Sequence, residues 1–323
     1  MRLRPVPETT HFDFFGRPTL WLGISGLMMV AALVSFFVQG LNYGIDFRGG
    51  TTIRTESAQT IDIGAYRAAV DTLGLGDVTI TEIFDPSFGP DENVAMVRIQ
   101  AQDDQEAVTP ELIAAVEGAL QQAVPDIRFI SVESVGPKVS GELIMTASIA
   151  VVLAISAVLV YIWLRFEWQF AVAAVVALVH DVVLTIGIFS ELQIRFDLAI
   201  IAALLTIVGY SINDTVVVFD RARENLRKFK TMPLRDLLNL SANETLSRTV
   251  MTSGTTLLAL LALLVLGGDV IRGFVFAIFW GVIVGTYSSI YVAKNIVLML
   301  GVKRDWDKKD DPKAGTQFAN IDA

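Results

Sequence analysis

The stretch Val208–Asn225, VGYSINDTVVVFDRAREN, sets a carboxylate, Asp214, inside an otherwise apolar run. An ionised aspartate at the centre of a membrane helix costs about 2.5–3.5 kcal/mol on insertion scales, so such a group faces a polar interior, finds partners or takes up a proton. Helical spacing puts Thr206, Tyr210 and Ser211 on its own face, with Asn213 beside it in sequence. The next apolar run opens at Arg248 and carries Thr252, Ser253, Thr255 and Thr256 to a matching depth. An earlier run holds the adjacent pair His180-Asp181 near its middle. Burial favours a neutral carboxyl and a neighbouring guanidinium favours the anion, and a group held between the two can exchange a proton. The candidate proton pathway is therefore Asp214 with Arg248. Asp181, His180, Asn213 and Thr252 join it either on that pathway or as structural groups.

Each residue also has a plainer reading. Arg248 suits the positive inner edge of a span, and His180 suits a hydrogen-bonded interior site. Asp181 suits a tie to hydroxyls or backbone of a neighbouring helix, and Asp214 suits a bundle tie. What favours chemistry is a mid-span acid with hydroxyls at matching depth and an arginine on the next span. Asp214 and Asp181 themselves differ in depth, roughly 9 Å against 15 Å from the inner face at 1.5 Å per residue, which counts against a two-aspartate site.

Composition narrows the classes. The chain has 323 residues, 53% of them hydrophobic, and no cysteine. Its mean hydropathy of +0.56 marks a polytopic α-helical membrane protein. Thiol catalysis and disulfides are excluded, a histidine metal centre has only His11 and His180 to draw on, and a net charge of −9 disfavours nucleic acid. No GxxxxGK[ST] phosphate loop occurs.

Six runs reach the roughly 20 residues that a bilayer core requires: Leu20–Val38, Leu143–Leu164, Phe170–Ser190, Leu198–Phe219, Thr249–Gly268 and Gly273–Ala293. The first follows Arg2, Arg4 and Arg17, and is too long for a cleaved leader with no A-x-A site after it. Segment 221–248 carries seven basic residues against three acids, and Lys294, Lys303, Arg304, Lys308, Lys309 and Lys313 follow the last span. These basic segments share one side, expected to be cytoplasmic. Trp163 and Trp168 bracket the short connection between the second and third spans. Gly281, Gly285 and Ser289 form a small-residue row for close helix contact, with Gly23, Ser25 and Gly26 a less regular one. The expected division is an amino-terminal segment 1–19, a first span 20–38, an external domain 39–138, five further spans over 139–299 with a loop 221–248, and a tail 300–323.

The external segment holds 16 acids and six bases. Its pattern predicts strand Thr51–Glu56, helix Ile61–Leu73, strands Val78–Phe84 and Val94–Ala101, helix Pro110–Ala123 capped by Thr109, and strand Ile127–Val135. That order, β-α-β-β-α-β, is the ferredoxin-like split βαβ arrangement. Gly136-Pro137 turns the domain into the second span.

Four segments, in order, resemble the SecD/SecF family of protein-export membrane subunits, within the RND superfamily. They are Tyr43–Thr51 (YGIDFRGGT), Val135–Leu143 (VGPKVSGEL), Gly209–Arg221 (GYSINDTVVVFDR, with Arg223-Glu-Asn225 after it) and Ser247–Ser253 (SRTVMTS). The third and fourth have the form of the SecF branch. The resemblance implies a six-span half of an RND-type transporter that pairs with SecD beside the SecYEG channel, with YajC a more distant partner. It implies an auxiliary, non-enzymatic role that uses the proton-motive force to promote export of unfolded preprotein on the periplasmic side, with protons as coupling ion and no cofactor. It implies residence in the bacterial inner membrane with both termini cytoplasmic. It gives Asp214 and Arg248 a part in proton passage, and His180-Asp181 fits its third span. Two other readings stand beside it. One is an intramembrane aspartyl protease on Asp181 and Asp214, although Ser-Ile-Asn precedes Asp214 where such proteases carry Gly-x-Gly. The other is an RND exporter subunit for small molecules or lipids, although such exporters usually have twice the spans in one chain.

Overall fold

A computed structural model describes residues 10–75, 78–85, 88–89, 92–100 and 109–302. Arg2, Arg4 and the tail bases Lys303, Arg304, Lys308, Lys309 and Lys313 lie outside them. Among the described residues, six helices are long and apolar enough to cross a membrane: α1 (Pro18–Gln39), α5 (Pro137–Arg165), α6 (Trp168–Glu191), α7 (Leu198–Lys228), α8 (Leu234–Leu266) and a last rod over Asp269–Leu300. That rod is α9 (Asp269–Tyr287), a π-helical segment Ser288–Ala293 and α10 (Lys294–Leu300). Most of α6 is buried, whereas α1, α5 and α8 turn most of their apolar surface outward, so α6 is the axis of the bundle.

Small residues explain why α6 can sit there. Ala171, Ala173, Ala174 and Ala177 are buried along it, letting neighbouring backbones come close. At Gly187 an added Cβ would lie 2.3 Å from the Cβ of Ala32 on α1. At Gly281 it would lie 2.3 Å from Cγ1 of Ile207 on α7, and at Gly285 3.1 Å from Cβ of Ser211. The row expected in the last span is therefore its seam with α7. The row expected in α1 is not a seam: Gly23 and Gly26 face open space, and α1 docks through Ala32 and through Ser25, which bonds Tyr287.

The segment 221–248, expected as a loop, is helical except for Phe229–Pro233. Polar cross-links hold α7 and α8 together beyond their apolar stretches. Arg221 Nε donates to Glu244 at 2.7 Å, and the Asn225 amide donates to Ser241 at 3.0 Å and Glu244 at 2.7 Å.

The external domain contains α2 (Ile45–Arg48), β1 (Gly50–Ser57), α3 (Ile63–Asp71), β2 (Val78–Ile83), β3 (Asn93–Gln100), α4 (Pro110–Ala123) and β4 (Arg128–Val135). Its sheet runs β2-β3-β1-β4 with every neighbour antiparallel, the ferredoxin-like order. Thr109 caps α4 by accepting from the Leu112 amide, and Asp62 caps α3. α3 and α4 cover one face with a core around Ile53, Tyr66, Val70, Val97, Val116 and Leu120. The short α2, absent from the sequence pattern, carries the chain from α1 into β1.

Two polar clamps seat this domain on the bundle. Asp46 of α2 accepts the Leu198 amide at 2.9 Å, at the first turn of α7. Asp269 at the start of α9 accepts the Phe84 amide at 2.7 Å and donates its own amide back to the Phe84 carbonyl at 3.0 Å. The domain is thus fastened to the first turns of two membrane helices.

Gly281→Ala should drive a methyl into Ile207 and destabilise the bundle by about 1–3 kcal/mol, as overpacked cores do. A lower thermal midpoint in detergent, partly restored by adding Ile207→Val, is the expected result.

Candidate functional site

Two buried carboxylates sit on facing helices, each in its own set of hydroxyls. Asp181 on α6 is fully buried. Its Oδ2 accepts from Ser211 of α7 at 2.6 Å and from Ser288 of the last rod at 2.9 Å, while Oδ1 lies 3.0 Å from His180 Nδ1. Gly285 leaves room for this, since a Cβ there would sit 3.5 Å from Asp181 Oδ2. Tyr287 stacks on the His180 ring at 6.2 Å and donates to the Trp21 carbonyl at 3.0 Å, joining α1 to the cluster. The π-helical segment begins at Ser288 and turns consecutive serines inward: Ser288 serves Asp181, and Ser289 shares a 2.9 Å bond with Thr215. Single π turns of this kind concentrate where a helix must present an irregular set of groups.

Asp214 lies one turn further along α7, also buried. Among the described residues its one hydrogen bond comes from Ser253 of α8 at 3.4 Å, and Ser253 shares a 2.7 Å bond with Thr286 of the last rod. A hydroxyl on a carboxylate normally sits at about 2.5–2.7 Å, so Asp214 is loosely held. Arg248, the arginine expected beside Asp214, is exposed and forms no ion pair with it or with any other acid among the described residues.

The polar stripe expected around Asp214 divides differently. Ser211 serves Asp181. Tyr210 reaches Thr256 at 3.3 Å, and Thr206 turns out of the bundle and bonds its own helix at Ala202. The reason is angular: positions three and four residues apart share a face only broadly, and α6, α8 and the last rod each claim a different sector of α7. Asn213 is exposed. Thr252 and Thr255 bond back to carbonyls of their own helix, so of the α8 hydroxyls only Ser253 meets Asp214. Thr215, Thr286 and Ser288 were missing from the candidate set. The run Thr286-Tyr287-Ser288-Ser289 in an apolar helix was the signal for two of them.

No hydrogen bond joins Asp181 to Asp214 among the described residues; their partners are separate.

Six apolar helices among the described residues, with buried carboxylates on facing helices and a split βαβ domain fastened to them, define a polytopic α-helical membrane protein. Residues 115–303 match the family model "Protein export membrane protein SecD/SecF, C-terminal", and residues 34–61 match "SecD/SecF GG Motif". The chain belongs to the SecD/SecF family of protein-export membrane proteins, and its role is that of an auxiliary subunit in Sec export. It is 65% identical over 322 residues to a protein translocase subunit SecF of Cereibacter sphaeroides, covering 100% of this chain and 99% of that one. It is 61% identical to the SecF of Rhodobacter capsulatus, covering 96% and 95%. A crystal structure of SecDF, a translocon-associated membrane protein from a Thermus species, superposes with a TM-score of 0.79 at 37% identity, covering 91% of this chain. This chain spans 39% of that solved chain.

Asp181→Ala should orphan the Ser211 and Ser288 donors, at about 1–3 kcal/mol for each buried group left unpaired. Asp181→Asn keeps an acceptor oxygen and should cost less. Thermal unfolding of the purified protein in detergent should rank wild type above the asparagine variant and the alanine variant last.

Proposed function

We propose that this chain, paired with SecD, converts proton movement into motion of its external domain and so promotes export of unfolded preprotein. Asp214 carries the proton. The observation that supports this most directly is its bonding: a buried carboxylate with, among the described residues, one long hydroxyl contact. As an anion it attracts the Ser253 hydroxyl and feels the field of Arg248, which draws α8 toward α7. As a neutral acid it loses that attraction, and α8 and the last rod are free to shift through Ser253 and Thr286. Asp181 works differently. Its three partners hold it in place, so it serves as the fixed tie against which α7 and the last rod move.

The route from site to external domain is short in mechanical terms. α7 runs unbroken from the Asp46 clamp at Leu198 to Asp214, roughly 24 Å at 1.5 Å per residue. α9 runs from the Asp269 clamp to Thr286. A tilt of either helix therefore moves the domain.

Asn213 and Arg248 face outward, as they would to meet a second six-span chain, and SecD is the partner proposed there. The SecYEG channel and, more distantly, YajC are proposed as further partners. On this reading the external domain is periplasmic, both termini are cytoplasmic, the membrane is the bacterial inner membrane, protons are the coupling ion, and the chain performs no covalent chemistry. The excess of basic residues over acids in 221–248 supports that orientation.

Asp214→Asn should remove proton-dependent stimulation of export in inverted membrane vesicles at unchanged protein level. Full stimulation with the asparagine variant would sink the proposal.

A further inference from the structure

Where the external domain meets the bundle, two cavities adjoin at Ile45. The smaller, about 190 Å3, has polar walls that include Arg48, Arg98, Asn42 and the backbone of Gly44 and Gly49. The larger, about 610 Å3, adds Asp46, Arg195 and Asp197 and an apolar floor of Ile194, Leu264, Phe274 and Phe276. That floor comes from the membrane helices and the segment that leads into α7, whereas the roof is the sheet face left uncovered by α3 and α4, at Arg54, Met96 and Glu133. α1 ends at Gln39 and α7 begins at Leu198, so the polar part lies at the depth where hydrocarbon gives way to headgroups.

The charges at this junction are incompletely matched. Arg98 has no ion pair among the described residues, and its Nε has no hydrogen-bond partner. Its guanidinium and that of Arg195 lie on the sulfur of Met96, at 4.0 and 3.8 Å. Burial and the neighbouring Arg195 bring the Arg98 pKa down to about 10. Arg48 is exposed and also lacks an ion pair among the described residues. On the acidic side, Asp197 approaches Arg195 only to 3.9 Å, and its Oδ1 is buried without a partner. Asp46 has its Oδ2 on the Leu198 amide. The remaining charges on the cavity wall are mostly self-paired, Arg272 with Asp269 and Arg54 with Glu133 at 3.9 Å.

We propose that these two adjoining cavities together hold one zwitterionic aminophospholipid from the leaflet on the external-domain side. Its phosphate lies against Arg48 and Arg98, its ammonium against Asp197 and Asp46, and an acyl chain lies over Phe274 and Phe276. A purely anionic headgroup would set its net charge against the two aspartates, and a headgroup with neither N–H nor O–H donors would leave Asp197 Oδ1 unpaired. Apolar floor and charged wall side by side exclude a free ion as the natural occupant, since it would leave the phenylalanine floor uncovered. A lipid held here sits between the Asp46 and Asp269 clamps, so it would set how firmly the external domain rests on the bundle.

Native mass spectrometry of the full-length protein in detergent tests this, with phosphatidylethanolamine, phosphatidylglycerol and phosphatidylcholine of matched chains added in equal amounts. The ethanolamine lipid should be retained about tenfold over either competitor, the preference expected from one charge-assisted hydrogen bond. Arg98→Gln and Arg48→Gln should each lower retention by a similar factor, and Asp197→Asn should erase the preference over phosphatidylglycerol. Should Arg98→Gln fail to give a monodisperse protein, the exposed Arg48 variant decides. Equal retention of the three lipids overturns the proposal, as does unchanged retention in a folded Arg48→Gln protein. Displacement of the lipid by inorganic phosphate with ethanolamine, or by an unfolded mixed-charge peptide, overturns it too, by assigning the site to a small ion or to a polypeptide.

Discussion

Charge in hydrocarbon is the constraint on which the rest of this structure depends. A membrane helix that carries a carboxylate must surround it with donors, and the donors must come from other helices. Asp181 satisfies that rule fully, and in doing so joins α6, α7 and the last rod at one point. The glycines follow from it: Gly285 is needed because a side chain there would crowd Asp181 and Ser211. The π-helical turn serves it as well, since Ser288 and Ser289 face two different partners from consecutive positions. Asp214 satisfies the rule only loosely, and that inequality between two acids in one bundle is what gives one of them a proposed mobile role.

The same helices that hold the acids also hold the external domain. α7 and α9 each start at a clamp and run uninterrupted to the buried cluster. The domain itself is an ordinary split βαβ module with its core sealed by Ile53, Tyr66 and Leu120. Its uncovered sheet face turns toward the bundle, and there Arg98 of β3 and Arg48 of α2, neither with an ion pair among the described residues, line one cavity. The junction therefore combines the mechanical link with a charged cavity wall.

Much of this was legible in residue order, and the reasons for success and failure differ by element. The strands and α4 were readable because period-two alternation and a Thr109-Pro110 cap are local signals. The six spans were readable from length alone. What the pattern did not carry was rotation. Thr206, Tyr210 and Ser211 share one side of α7 in projection, yet Ser211 meets α6, Tyr210 meets α8 and Thr206 turns outward onto its own helix. Likewise Gly23 and Gly26 looked like a seam, but a small residue marks a contact only if another backbone is there, and for α1 that backbone meets Ala32. The continuation of α7 and α8 past the membrane was missed because a basic, polar segment reads as a loop. Arg221, Asn225 and Glu244 make it a hairpin of helices only through contacts across the two chain segments.

The central claim is that the protonation state of Asp214 sets the position of the external domain. The chain has no cysteine, so a spin-label pair at Gln121→Cys on α4 and Arg227→Cys at the far end of α7 reports that position without background. Electron-resonance distances should be taken across a pH series in lipid nanodiscs with SecD. The account predicts two distance populations that exchange with pH in the wild-type background, and a single population at every pH once Asp214→Asn is added. The same pH response with and without Asp214 would contradict it.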